Sequence, residues 1–129
     1  MPCMSNRHKG RKGFDRLVRA TGHSVDGLVG AYRSESAFRQ ELWLSAALVP
    51  AALYLGANWA ERAVLVMSVI LVLVTELLNS AVEATVDRIS FDDHELSKRA
   101  KDYGSAAVLV ALLLCAGLML SAFVRRLIA

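Results

Sequence analysis

An all-α membrane protein, with an N-terminal amphipathic surface helix ahead of three transmembrane helices, is the fold this sequence predicts. Three observations predict it. Apolar residues fill 55% of the 129 positions while aromatic residues fill only 7%, so a packed aromatic core does not explain the surplus. The apolar residues gather into long blocks, over residues 42–60, 63–86 and 104–124. The lysines and arginines gather in the flanks of those blocks. A chain of this length is expected to form one domain, residues 14–129, behind a tail over residues 1–13.

The tail is polar and interrupted by Pro2, Gly10 and Gly13, which predicts disorder. Its basic residues have no apolar run behind them, so no cleavable signal peptide is expected and the first apolar block acts as the insertion signal. Arg7, Lys9, Arg11, Lys12, Arg16 and Arg19 crowd this end. Beside membrane spans such a cluster reads as an anchor to anionic lipid, and no nucleic-acid partner is expected.

From Phe14 the pattern becomes helical. Phe14, Leu17, Val18, Thr21, Val25, Leu28, Val29 and Tyr32 recur at steps of three and four, with Arg16, Arg19 and Asp26 between them. That predicts an amphipathic helix over 14–33 lying on the membrane surface. A soluble helix packed on a partner is the competing reading. Gly22, Gly27 and Gly30 leave room for a break into two shorter helices.

The first block, 42–60, is bounded by Glu41 and Glu61. Its length matches the ~20 residues a helix needs to cross ~30 Å of hydrocarbon. Pro50 is expected to kink it, and Trp43 and Trp59 stand near its ends as interfacial aromatics do. The turn to the second block is short, around Asn58 to Arg62, which makes the first two spans an antiparallel hairpin. Arg125 and Arg126 follow the third block. Eight lysines and arginines precede the first span, four lie between the second and third, and three lie on the other side. Twelve against three places the N-terminus and the 87–102 loop in the cytoplasm. Cys3 and Cys115 suggest neither a disulfide framework nor a metal site.

The chemistry concentrates in the second block. Glu76, Asn79, Glu83 and Asp87 are spaced three, four and four apart and share one helix face. A carboxylate at the centre of a bilayer costs roughly 2.5–3.5 kcal/mol on insertion scales, so this stripe must turn inward. A structural polar contact between helices is the bland alternative. Glu35 and Glu41 precede the first span, and Asp92, Asp93, Glu95 and Asp102 stand beside Lys98, Arg99 and Lys101 in the cytoplasmic loop. Acid and base at one interface suit a metal–nucleotide site: carboxylates for Mg²⁺, lysine for polyphosphate and a general base for a hydroxyl. Taken alone, the loop reads better as a solvated charged turn. None of the familiar nucleotide signatures is present, and His94 lacks partners at zinc-site spacing. The residues alone leave a lipid enzyme and a cation transporter both open.

The run ELLNSAVEATVDRISFDDHELSKRAKDYGSAAV, Glu76 to Val108, resembles the prokaryotic diacylglycerol kinase family, with E-x-x-N-[ST]-x-x-E-x-x-x-D at its centre. SESAFRQE, Ser34 to Glu41, resembles a second block of that family. The resemblance covers roughly Phe14 to Val124. It implies a homotrimeric integral membrane kinase, unrelated to soluble kinases, that uses ATP with Mg²⁺ to phosphorylate diacylglycerol at the inner membrane. It implies Glu76 as the general base and Asn79 as a residue holding the reacting groups. Glu35 and Glu83 would bind the Mg²⁺ carried by ATP. Lys101 and Asp102 would contact the nucleotide, bordered by Arg16, Asp92, Asp93 and His94. Phe38, Arg39, Gln40, Glu41 and Ser105 would border the lipid. His23 stands where many members carry an aromatic, and Asp92–Asp93 where a Glu–Tyr pair is common. Two rivals remain: the undecaprenol kinase branch of the same family, and an oligomeric cation or drug transporter coupled through Glu76.

Overall fold

The computed structural model describes residues 13–129, and they form four helices: α1 (Gly13–Ser34), α2 (Ser36–Leu55), α3 (Trp59–Ile89) and α4 (Glu95–Ile128). The expected tail lies outside the described residues except at Gly13, which opens α1. α3 and α4 are each long and apolar enough to cross a membrane. α3 packs most extensively on α4 and next on α2, while α1 touches mainly α2.

α1 is one uninterrupted helix, so the break allowed by Gly22, Gly27 and Gly30 does not occur. A Cβ at any of these three would meet nothing within 4 Å. They sit on an open surface, and the helix ladder holds through them. None of α1 is buried, and Phe14, Leu17, Val18, Val25 and Leu28 are all at least half exposed. Arg39 closes the α1 end by donating from Nη1 to the carbonyls of Tyr32 and Arg33, both at 2.9 Å. A cation there also complements the helix dipole.

The expected span 42–60 is corrected by the structure. The helix stops at Leu55 and the next begins at Trp59. The reason is a cap at Asn58, whose Oδ1 accepts from the Glu61 N–H at 3.0 Å while Glu61 Oε2 accepts from the Ala57 N–H at 2.8 Å. This reciprocal capping starts α3 inside the expected turn, ahead of the apolar block at 63. Gly56 is needed here because a Cβ would come within 2.9 Å of the Arg62 nitrogen and 3.0 Å of its Cα. α2 continues through Pro50 without a break.

The apolar core lies toward this turn. Ala52 and Leu55 of α2, Leu65, Val69 and Val72 of α3, and Ala111, Cys115, Met119 and Ala122 of α4 interlock there. Arg125 ties the same end together, reaching the Leu55 carbonyl at 3.1 Å and Glu61 Oε1 at 2.6 Å. The opposite half of the bundle is polar where it should be driest, and that half holds the site.

Candidate active site

Glu76 and Asn79 are buried, at 6% and 9% exposure, on the α3 face that looks into the bundle. The inward turn that their cost in hydrocarbon demanded is therefore realised. One turn on, Asn79 Nδ2 donates to Glu83 Oε1 at 3.0 Å. Asn79 Oδ1 is buried without a hydrogen-bond partner among the described residues. Such an unsatisfied buried acceptor costs about 1–3 kcal/mol.

Further carboxylates converge on this face. Glu83 and Glu35 lie near enough for their charges to act on Glu76, and Glu76 acts likewise on Glu41. Glu35 occupies the N-cap position of α2 but makes no side-chain cap bond, so its carboxylate remains available. It also lines a cleft of about 570 Å³ between α1 and α3, with Leu28, Leu77 and Ser80. Glu41 has one oxygen buried without a partner among the described residues and borders an apolar cavity of about 240 Å³ among α2, α3 and α4. Phe38, one turn earlier on α2, is 2% exposed.

The second group lies at the α3–α4 hairpin. Asp87, Asp92, Asp93, His94, Lys98, Lys101 and Asp102 line a cavity of about 600 Å³. The volume falls within the range of small-ligand sites. Lys101 Nζ meets Asp87 Oδ1 at 2.6 Å, and Lys98 Nζ meets Asp102 Oδ2 at 2.8 Å. The hydrogen bond to Asp87 holds Lys101 above the ordinary lysine value, and that to Asp102 does the same for Lys98. His94 caps α4, its Nδ1 accepting from the Leu96 N–H at 3.1 Å, which leaves Nε2 for the cavity.

These placements sort the residues singled out from sequence. Glu76, Asn79 and Glu83 form the inner group, with Glu35, Glu41 and Phe38 beside it. Asp92, Asp93, His94, Lys101 and Asp102 form the outer one. Arg16 is exposed on α1 and Gln40 and Ser105 are exposed on their helices, outside both groups. Arg39 is engaged at the end of α1.

A model of prokaryotic diacylglycerol kinase matches residues 22–123, which contain every residue of both groups. The chain belongs to that family. It is 51% identical over 104 residues to a diacylglycerol kinase of Pseudomonas aeruginosa, covering 81% of this chain and 85% of the relative. It is 50% identical over 101 residues to a diacylglycerol kinase of Escherichia coli, covering 78% and 83%. It is 42% identical over 102 residues to one of Helicobacter pylori, covering 79% and 80%.

Two members of the site escaped the sequence reading. Asp87 was placed on the acidic stripe without a role, and its pairing with Lys101 joins residues 14 apart, beyond one helix. Gly104 was not singled out, yet a methyl built on it would overlap Asn79 Oδ1 and stand 3.2 Å from Asn79 Cγ. Only the flanking match to GSAAV carried any signal for it.

Proposed function

We propose that this protein transfers the γ-phosphate of ATP to the free hydroxyl of diacylglycerol at the cytoplasmic face of the bacterial inner membrane, giving phosphatidic acid. The observation that carries this reading is the succession along α3 of a buried Glu76–Asn79 pair, the partly exposed Glu83 bonded to it and, beyond them, a charged cavity of about 600 Å³. A lipid hydroxyl reaches the first from the bilayer and a nucleotide reaches the second from water.

Glu76 accepts the hydroxyl proton as general base. Asn79 helps to hold the reacting groups through the Glu83 carboxylate that its Nδ2 binds. Lys101 turns from Asp87 to the polyphosphate, and Asp102, Asp92, Asp93, His94 and Arg16 border the nucleotide. Phe38 to Glu41 and Ser105 border the lipid. Among the described residues no three carboxylate, histidine or cysteine groups close on a single point. That donor set fits Mg²⁺ that arrives with ATP, since this ion commonly takes one or two carboxylates plus substrate phosphates. Glu35 and Glu83 would hold it there. The ion supplies neutralisation of charge on the transferring group, which is most of what phosphoryl transfer asks of its surroundings.

The assembly we propose is a homotrimer of three-span protomers with cytoplasmic N-termini. At 1.5 Å per residue the 20 residues of α2 reach about 30 Å, enough for the third span. Val64, Met67, Leu71, Val74 and Leu78 form an exposed stripe on α3 at alternating steps of three and four, the spacing of a helix-packing seam.

Transfer from labelled ATP in mixed micelles, with dioleoylglycerol and undecaprenol offered together, tests the function. Mg²⁺-dependent labelling of dioleoylglycerol is the expected result. Labelling of undecaprenol alone would move the substrate to the polyprenol branch, and labelling of neither would return the transporter.

A further inference from the structure

In the polar half, the α4 backbone comes against α3 at Gly104 and Asn79. Asn79 is buried on α3, and the backbone of α4 presses against its carboxamide with no side chain between them. A methyl at Gly104 would overlap Asn79 Oδ1 and crowd Cγ at 3.2 Å and Cα at 3.6 Å. No flexible tip is available to yield, because the crowded atoms are a short amide and its own backbone.

Two contacts therefore fix the amide. Nδ2 is held by Glu83 Oε1 at 3.0 Å, and Oδ1 lies against Gly104. The flipped amide would face its oxygen to a carboxylate oxygen, which is repulsive, and would lose the bond. Glu83 in turn has one oxygen engaged and the other left for a ligand.

We infer that Gly104 is a positioning residue for phosphoryl transfer: its missing side chain lets the α4 backbone lock the Asn79 amide, which orients the Glu83 carboxylate toward the metal–nucleotide. The inference rests on the proposed role of Glu83. Gly104 touches neither substrate, and it acts through Asn79.

The test compares wild type, Gly104→Ala, Asn79→Ser and the double variant as full-length protein in mixed micelles. Turnover, Mg²⁺ titration and thermal unfolding are read for each. Gly104→Ala is expected to lower kcat by about a hundredfold, the scale of a small misplacement of reacting groups. It raises the Mg²⁺ needed for half-maximal rate and leaves KM for dioleoylglycerol within about twofold. In the Asn79→Ser background, where the shorter side chain clears the methyl, the same substitution changes neither the Tm nor the remaining rate. Wild-type kcat and Mg²⁺ dependence in Gly104→Ala would overturn the inference. So would an equal loss of Tm in both backgrounds, or failure of both Gly104→Ala proteins to assemble, since the glycine would then serve backbone packing alone. If the wild type transfers no phosphate to dioleoylglycerol, it is the functional reading that fails, and the coupling of Gly104 to Asn79 is still read from the Tm values.

Discussion

Lys101 and Asp87 meet at 2.6 Å across the mouth of the hairpin cavity, one from the first turns of α4 and the other from the last turns of α3. Both side chains are more than a third exposed, at 40% and 38%, so solvent screens the pair and its stabilising contribution is small. Its consequence is electrostatic placement. Asp87 keeps the ammonium at the cavity wall until a stronger anion arrives, and a polyphosphate is such an anion.

Replacing Lys101 by Ala is expected to raise KM for MgATP by about tenfold or more, the scale of one charged hydrogen bond. KM for diacylglycerol should hold. Steady-state kinetics with each substrate varied in turn checks this, and an unchanged KM for MgATP would remove Lys101 from the nucleotide site.

The same pair predicts a pH dependence. The Asp87 hydrogen bond raises the Lys101 pKa above 10.5, so the charged form persists further into alkali than in a free lysine. The alkaline limb of MgATP affinity due to Lys101 should therefore lie at higher pH than a free lysine would give. In Asp87→Asn the raising contact is gone, and the alkaline limb should move to lower pH. A KM–pH profile of the two proteins decides the matter; coincident limbs would separate Asp87 from the titration of Lys101.

Glu76→Gln keeps shape and hydrogen-bonding capacity but cannot accept a proton at neutral pH. Turnover should fall by roughly 10²–10⁴, the usual contribution of general base catalysis, with MgATP binding largely retained. Near-normal turnover would exclude Glu76 as the base.

In the proposed site, Glu83→Ala or Glu35→Ala removes one of the two carboxylates that would hold Mg²⁺. Each should raise the Mg²⁺ concentration for half-maximal rate by about tenfold, the order expected for lost ligation. A titration that superimposes on wild type would sink the assignment of that residue.

At the far end of the bundle, Arg125→Ala breaks contacts to the Leu55 carbonyl and to Glu61 and should lower stability by about 1 kcal/mol, discounted for partial exposure. kcat should not change, because Arg125 lies beyond the apolar core from Glu76. Thermal unfolding and turnover measured on the same preparation separate the two effects.

The helix count, the inward face of Glu76, Asn79 and Glu83 and the acid–base mixture near the α3–α4 turn were all legible in the order of residues, although the expected 87–102 loop shrinks to residues 90–94 because α3 runs to Ile89 and α4 starts at Glu95. Each follows from a local rule, either helical periodicity or the cost of charge in hydrocarbon. The end of α2 was misplaced because hydropathy averages across a turn, whereas the Asn58–Glu61 cap depends on particular donors and acceptors that a composition window does not register. The continuity of α1 was likewise undecided by its glycines, which weaken a helix without dictating a break.

The sequence by itself determined that the chain is helical, that it belongs in a membrane and that one stripe of α3 turns polar groups inward, since these depend on neighbours three or four residues apart. Only the tertiary structure decided which groups face one another across helices. Lys101 finds Asp87, Arg125 finds Glu61, and Gly104 admits Asn79 because helix packing brings distant turns together. No local periodicity records that approach.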